Sequence, residues 1–251
     1  MAVRYERLEN VALITLDRPG SLNAINEALS RELREAWQRF MAEDDAYVAV
    51  LTGEGRAFCA GLDMKEAAEA LRTGEGMKLS PLPRADEIAK PTIAAVNGAC
   101  AGGGISFMLA CDIAICAEGA QFVLPFAARG RGGGSVILEV ARKTSINTAF
   151  YFGLTAARCD AQTALRVGLV QEVLPQEDLL PRALELAEKI AGHSQVSLRS
   201  IKRHLLDAMD VGVPQALKQS SRMDADVAGS EDIREGTIAF DEKRRPQFEN
   251  R

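Results

Sequence analysis

The sequence predicts an α/β fold with parallel strand pairing, and two observations support this prediction. Short apolar runs of five or six residues recur in the first half of the chain, and stretches with helical spacing of apolar residues separate them. Strands that alternate with helices pair in parallel, because each helix carries the chain back to the start of the next strand. The 251 residues, of which 47% are hydrophobic, suffice for one large domain with a sizeable core.

The first predicted elements are a strand, a helix and a second strand. Residues 11–16 and 47–51 are almost entirely apolar, as is typical of buried strands. The region between them repeats apolar side chains at helical spacing over 27–42, and one face carries Leu29, Leu33, Ala36, Trp37 and Phe40. The glycine-containing residues 53–61 predict a loop.

Another helix and two strands are predicted after this loop. The pattern indicates a helix over 63–71, and the glycines and prolines of 73–85 predict a second loop. A strand at 92–97, a helix that ends at Ala110 and a strand at 112–116 follow.

The chain is predicted to be nearly all helix from Asp160 onward. Asp160 suits a helix N-cap, because its carboxylate can accept hydrogen bonds from the first helical turn. Residues 178–191 place a stripe of apolar side chains on one helix face, made of Leu180, Leu184, Ala187 and Ile190.

The stretch GACAGGGIS (98–106) stands where the strand at 92–97 leads into a helix. Glycine lets a ligand approach the backbone closely, and the first N–H groups of a helix have no partner within it. Such groups suit a phosphate or a developing oxyanion, but the phosphate patterns GxxxxGK[ST] and GxGxxG are not completed here. Close packing of helix on strand explains the glycines equally well, so both interpretations stay open at this point.

Charge and cysteine content exclude several classes of protein. The formal net charge of −5 argues against nucleic acid as a main partner, because phosphate binding needs a basic surface. The charged N-terminus lacks the apolar core of a signal peptide, and no apolar run is long enough to span a bilayer, so we expect a cytoplasmic protein with no membrane partner. Five cysteines without CxxC spacing indicate reduced, buried thiols and no metal site.

Four segments together resemble the crotonase superfamily, also called the enoyl-CoA hydratase/isomerase family. They are RPGSLNAIN (18–26), GEGRAFCAGLDMKE (53–66), NGACAGGGISFMLACDIAIC (97–116) and EGTIAFDEKRRPQF (235–248). The resemblance covers essentially the whole chain. It implies a crotonase-like spiral of repeated ββα units over 1–195 that holds an acyl-CoA site. A helical C-terminal region over 196–251 is then expected to form a homotrimer or a dimer of trimers.

The resemblance also implies a set of site residues. The backbone N–H groups of Leu62 and Gly103 are expected to hold the thioester carbonyl as an oxyanion hole. Coenzyme A enters as part of the substrate, and no other cofactor is expected. Its pantetheine, adenine and phosphates are assigned to Asn23, Ala24, Arg56, Ala60, Asp63, Lys65, Phe240 and Lys243, although Asp63 is also interpreted as a helix N-terminal residue.

The sequence departs from the family at the general bases. The two glutamates that handle water in the family's hydratases fall at Ser106 and Phe126, and a third acid position used by some members falls at Gly134. None of these side chains is a carboxylate, so simple hydration should be slow. The sequence leaves open whether another acid takes over, with Glu66, Glu69 and Glu139 as candidates.

Arg129 and Arg131 alternate with glycines close to these positions. One interpretation is surface or subunit-interface arginine, because arginine is mostly exposed. The other is a cationic clamp for a second carboxylate of the substrate, since arginine pairs bidentately with carboxylates. A clamp of this kind would suit a decarboxylation that forms the enolate without a protein base.

The function expected from these residues is that of an acyl-CoA-processing enzyme, a lyase or isomerase, with a non-standard acid/base set. A non-catalytic acyl-CoA-binding protein and a decarboxylase are the alternatives. A thioester hydrolase with Ser106 or Ser135 as nucleophile is a further one, although neither serine lies in GxSxG.

Overall fold

Four ββα units follow one another from residue 3 to residue 143 of the computed structural model. The structure describes residues 1–81 and 84–250, without the side chains of 218, 219, 221–224 and 226, so part of the predicted loop over 73–85 lies outside the described residues. The units are β1 (Val3–Leu8), β2 (Val11–Leu16) and α1 (Glu27–Ala42); β3 (Val48–Gly53), β4 (Ala57–Cys59) and α2 (Met64–Thr73); β5 (Thr92–Val96), β6 (Ala99–Ala101) and α3 (Gly103–Leu109); β7 (Ile113–Ala117), β8 (Gln121–Val123) and α4 (Gly134–Lys143).

The strands of these units form two sheets. The larger has the order β1-β2-β3-β5-β7-β10 and the smaller the order β4-β6-β8-β9, with β9 (Cys159–Asp160) and β10 (Glu172–Leu174) added later in the chain. Pairing is parallel except for β1 with β2 and β8 with β9. Because each unit after the first gives one strand to each sheet, the chain turns as a spiral. The predicted α/β fold of ββα units is confirmed.

Both faces of the larger sheet are buried, which explains the continuous apolar runs in the sequence. Val48 and Val50 of β3 face one hydrophobic cluster, whereas Ala49 and Leu51 face the other. Helix α7 (Gln176–Ala191) covers the first face with its buried residues Leu179, Ala183 and Ala187. The predicted stripe is therefore displaced by about one residue, and its other members, Leu180, Leu184 and Ile190, flank the contact half-buried.

The predicted helix-rich second half is confirmed apart from strand β10. Its helices are α5 (Ile146–Thr155), α6 (Ala161–Arg166), α7, α8 (Gln195–Val211), α9 (Val213–Ala228) and α10 (Glu231–Asp241). Asp160 is the N-cap of α6, as expected, and accepts from the Thr163 N–H. No helix within the described residues is both long and apolar enough to cross a membrane.

Helix α8 is fixed to the larger sheet by a buried lysine. The Nζ of Lys202 donates to the Asp112 carboxylate and to the Lys90 carbonyl, each at 2.9 Å. The same carboxylate accepts from the N–H and the hydroxyl of Thr92 at the start of β5. The C-terminal helices are thus attached to the spiral close to the predicted boundary at residue 195.

Candidate active site

The loop that carries Leu62 is held by a single parallel bridge to residue 25. The Ile25 N–H donates to the Gly61 carbonyl at 2.7 Å, and the Asp63 N–H donates to the Ile25 carbonyl at 2.9 Å. Backbone N–H groups alternate in direction along an extended segment. The N–H of Leu62 therefore points away from Ile25, toward the opposite side of the loop.

Gly61 allows this loop to lie against the first residue of α3. Its φ is +86°, and a Cβ built on it would lie 2.7 Å from the Ala101 carbonyl oxygen and 3.6 Å from the nitrogen of Gly103. Any larger residue would be strained and would collide with the main chain. The loop thereby brings Leu62 beside the start of α3, as the sequence predicts for these two residues.

Two N–H groups at this place lack acceptors. Gly103 is the first residue of α3, so its N–H has no partner within the helix. Within residues 1–81 and 84–250, neither this group nor the N–H of Leu62 donates to a protein acceptor. A pair of preorganised backbone donors is the arrangement that stabilises a developing oxyanion.

The three adjacent glycines of GACAGGGIS have different structural roles. Gly102 has a φ of +51° and donates its N–H to the Val123 carbonyl. A Cβ on Gly104 would lie 2.3 Å from the Cys59 carbonyl oxygen, because α3 packs directly on β4. Gly103 lies between them. Close helix–strand packing therefore accounts for Gly104, and the free donor is at Gly103.

The positions of the two missing glutamates lie close to these donors. Ser106 is half-buried on α3 and lines a cavity. The ring of Phe126 lies 3.7 Å from where a Gly102 Cβ would be and 2.9 Å from where a Gly133 Cβ would be, so it fills the space between the two glycines. Gly134, the third acid position, begins α4 and faces open space. The wall beside the donors is apolar at Phe126.

A cavity of about 740 Å³ adjoins this site. One stripe of α3 lines it with Ser106, Leu109 and Ala110, and one stripe of α4 lines it with Ser135, Leu138, Glu139 and Arg142. Ile25, Trp37 and Leu79 contribute apolar surface. The mostly apolar lining with a few polar groups is typical of a small-molecule site.

Comparison with known proteins identifies the family. The family model described as enoyl-CoA hydratase/isomerase matches residues 6–251. The chain belongs to the enoyl-CoA hydratase/isomerase family. A 2,3-dehydroadipyl-CoA hydratase from Escherichia coli (strain K12) is 34% identical over 98% of this chain and 97% of its own length. A probable enoyl-CoA hydratase from Rhodobacter capsulatus is 36% identical over 99% of this chain and 98% of its own length.

Solved structures of the family share the whole fold. An enoyl-CoA hydratase/isomerase from Mycobacterium paratuberculosis superposes with a TM-score of 0.91 at 32% identity, over 100% of this chain and 99% of that one. The fold described above is therefore the crotonase fold. Membership of the enoyl-CoA hydratase/isomerase family makes this chain an acyl-CoA-processing protein.

Of the three other acids considered from the sequence, one lies in the cavity of this family member. The Glu66 carboxylate accepts from the Glu27 N–H at 3.3 Å and so holds the start of α1. Glu69 is exposed on α2 and pairs with Arg72 at 2.8 Å. Glu139 lines the cavity together with Ser106. These three acids could not be ranked from the sequence, because which face of α4 meets α3 is a tertiary property.

Residues 23 and 63 organise the loops of the site. The Asn23 side chain is fully buried; its Nδ2 donates to the carbonyls of Ala57 and Glu54, and its Oδ1 accepts from the Arg18 N–H. This side chain is not available to a ligand, so the CoA contact predicted for Asn23 is left to the main chain of the loop. Asp63 is the N-cap of α2 and pairs with Arg18 at 3.2 Å, which confirms its helix N-terminal role.

The remaining predicted CoA contacts do not gather at the cavity within one chain. Ala24 is buried and Ala60 half-buried, whereas Arg56 and Lys65 are exposed. On α10 and just after it, Phe240 and Lys243 are exposed as well, Phe240 to 87%. These contacts stay predictions.

Arg129 and Arg131 lie outside the described lining of the cavity, and the clamp that the sequence suggested for them stays a prediction. Both are exposed, and Arg129 ends the short 3-10 turn that follows Phe126. Neither is among the described residues that line the cavity, where Arg84, Arg142 and Lys143 are the basic residues instead. Arg142 was not among the residues expected at the site, although the apolar periodicity of 134–143 predicts a helix with a polar stripe there.

Nucleophilic catalysis finds little support at the site. Burial raises the pKa of Cys59, Cys111 and Cys116 to about 12 and that of Cys159 to about 11, so these thiols stay protonated and unreactive. Ser106 and Ser135 both line the cavity, but the described lining residues include no histidine that could activate them. The hydrolase alternative therefore lacks a histidine base among the described lining residues.

Proposed function

We propose that this chain is an enzyme that stabilises the enolate of an acyl-CoA thioester with the N–H groups of Leu62 and Gly103. The observation that carries the proposal is the pair of acceptor-free donors beside the 740 Å³ cavity. When charge moves onto the thioester oxygen, these donors are already in place and need no reorganisation. Loss of one such donor costs about 10²–10³ in rate in other enzymes.

The acyl group occupies the cavity in this proposal, and CoA leaves it past the loop of residues 60–63. The exposed Arg56 and Lys65 are the proposed phosphate contacts, since a cation on the surface can meet a phosphate without a desolvation cost. The named relatives are hydratases, so we propose addition of water to an enoyl-CoA, or its reversal, as the reaction class. Ser106 and Phe126 take no part in proton transfer.

A second candidate is an acyl-CoA-binding protein without turnover. The specific observation in its favour is Phe126, whose ring contacts the start of α3 where the family's hydratases have a carboxylate. This candidate keeps the oxyanion donors and predicts thioester binding with no chemical change.

Assembly as a homotrimer or a dimer of trimers also belongs to the proposal. Helix α5 exposes an apolar face, with more than half of each side chain accessible at Ile146, Phe150, Tyr151 and Leu154. Exposed apolar faces of this size are uncommon on monomers, because burying such a face against another subunit lowers the free energy of the assembly. The exposed Phe240 of α10 adds to the surface that a second copy would cover.

The infrared carbonyl stretch of a bound thioester tests the oxyanion hole. We expect crotonyl-CoA labelled with ¹³C at the carbonyl to absorb at lower frequency when bound than when free, because two N–H groups polarise the C=O bond. The isotope difference spectrum separates this band from protein amide bands. Binding without any shift to lower frequency would contradict the proposed oxyanion hole. A shift without turnover on a panel of acyl-CoA thioesters would favour the second candidate, an acyl-CoA-binding protein.

A further inference from the structure

The cavity that Ser106 lines also has a carboxylate, on helix α4. Ser106, Leu109 and Ala110 form the α3 side, and the facing stripe of α4 runs through Ser135, Glu139 and Arg142 at helical spacing. Glu139 lies in the middle of that stripe. Ile25, whose Cδ1 lies 2.6 Å from where a Gly103 Cβ would be, lines the same cavity and so connects it to the oxyanion donors.

The described lining contains two acids, Asp86 and Glu139, and they differ in how tightly they are paired. Asp86 lies on a short turn and forms an ion pair with Arg84 at 3.0 Å. For Glu139, the nearest cation is the Nε of Arg142 at 4.0 Å, beyond hydrogen-bond distance. Glu139 therefore keeps acceptor sites for a substrate proton, whereas Asp86 is already engaged.

Arg142 is held in place by an ion pair, and one of its N–H groups has no acceptor within the described residues. Its Nη1 donates to Asp210 of α8 at 2.8 Å. Its Nε is buried, and it has no hydrogen-bond partner within the described residues. A buried N–H without a partner is costly, and the Glu139 carboxylate lies 4.0 Å from this one. Arg142 is thus a cation beside Glu139 that its ion pair with Asp210 holds on the cavity wall.

We propose that Glu139 is the catalytic carboxylate of this enzyme. The inference rests on the proposed function, because it names the residue that transfers the proton while Leu62 and Gly103 stabilise the enolate. In hydration, the water oxygen bonds to the β carbon while its proton passes to Glu139. The π electron pair of the C=C bond moves to the thioester oxygen held by Leu62 and Gly103. Glu139 then returns the proton to the α carbon, so water adds across the double bond with no net change in the enzyme.

Exchange of the α protons of butyryl-CoA in D₂O tests this assignment without knowledge of the natural substrate. The wild-type carboxylate removes an α proton, the electron pair moves to the thioester oxygen, and deuterium returns to carbon. We expect mass spectrometry to show this exchange in the wild type. Glu139→Gln should slow it by about 10²–10⁴, the usual contribution of a general base. Glu69→Gln is the matched control, since Glu69 is exposed and paired on α2, and it should exchange at the wild-type rate.

The carbonyl shift of bound ¹³C-labelled thioester separates this inference from the proposed function. Glu139→Gln should keep the wild-type shift, because the donors are unchanged. Unaltered exchange in Glu139→Gln overturns the assignment, as does a wild type that shows the shift but no exchange. Loss of both the shift and the exchange in Glu139→Gln also counts against it, because Glu139 then supports binding rather than proton transfer. Absence of the shift in the wild type contradicts the proposed function itself.

Discussion

At the scale of single residues, the proposed chemistry depends on main-chain atoms that glycine makes accessible. A Cβ on Gly103 would lie 2.6 Å from Cδ1 of Ile25 and would meet no other atom within 4 Å. Alanine at this position keeps the N–H and conflicts only with the end of a flexible side chain.

Gly103→Ala is therefore expected to weaken acyl-CoA binding, and Ile25→Val added to it should restore most of the loss by removing Cδ1. The carbonyl shift should survive in the double variant, because the N–H donor is intact. Ile25→Val alone is the control. Isothermal titration with crotonyl-CoA measures the affinity. If the double variant binds crotonyl-CoA no more tightly than Gly103→Ala, the added methyl group weakens binding by colliding with the thioester itself. The clash with Ile25 would then not be the cause.

Hydration of crotonyl-CoA should be slow, because Ser106 and Phe126 provide no carboxylate and Glu139 alone would have to do the work that two glutamates share in the family's hydratases. We expect kcat for crotonyl-CoA well below the enzyme median of about 10 s⁻¹, measured by the loss of enoyl absorbance. Ser106→Glu should raise it, since Ser106 faces the cavity, whereas Phe126→Glu should lower stability because its ring fills the space between Gly102 and Gly133. Turnover in the wild type near the median would contradict the assignment of these positions.

At the scale of elements, α8 contributes to the cavity from outside the spiral. Lys202, Leu206 and Met209 lie on one stripe of this helix; the last two line the cavity, and Lys202 anchors the stripe to Asp112. The Lys202 side chain is 8% exposed and that of Asp112 26%. Removal of one partner of such a pair leaves a poorly solvated charge behind.

Lys202→Met is expected to lower the free energy of unfolding by about 2–3 kcal/mol, somewhat less than for a fully buried pair because Asp112 keeps its bonds to Thr92. Urea denaturation at fixed protein concentration measures the change. The exposed Lys189 of α7 offers a matched control, and Lys189→Met should change stability by no more than about 0.5 kcal/mol. Equal effects of the two substitutions would show that the buried ion pair does not anchor α8.

At the scale of the whole molecule, the apolar face of α5 is left uncovered by the part of the chain that the structure describes. Phe150 and Leu154 are one turn apart and both point away from the core, to which α5 contributes Ala149 and Phe152. Their exposure fits the trimer expected from the sequence, although the sequence analysis placed the interface on the C-terminal helices.

Phe150→Glu with Leu154→Glu is expected to shift the protein from trimer or hexamer to monomer, because two charges cannot be buried unpaired in a subunit interface. Light scattering coupled to size exclusion at micromolar concentration gives the mass. Thr155→Glu, at the end of the same helix, is the control for added charge. A wild type that is already monomeric would contradict the proposed assembly.

Local sequence patterns determined most of the secondary structure. The helix at 27–42, its buried face and the N-caps Asp63 and Asp160 are where the periodicity and the capping residues predict them, since each depends on neighbours within a few positions. Strand β1 and the short strands β4, β6, β8, β9 and β10 escaped prediction, and β4 lies within the predicted loop over 53–61. The short strands have two or three residues, which carry no period and are extended only through pairing with neighbouring strands.

For the site, the sequence determined which residue types are present and which are missing, and the resemblance indicated the two backbone donors. Only the tertiary structure decided which glycine packs and which one donates, because Gly61 and Gly103 meet across a loop that Ile25 holds. It also showed that, of Glu66, Glu69 and Glu139, Glu139 is the one that lines the cavity. The reason is physical: a side chain's access to a cavity depends on how α3 and α4 pack against each other, and that packing is set by contacts distant in sequence.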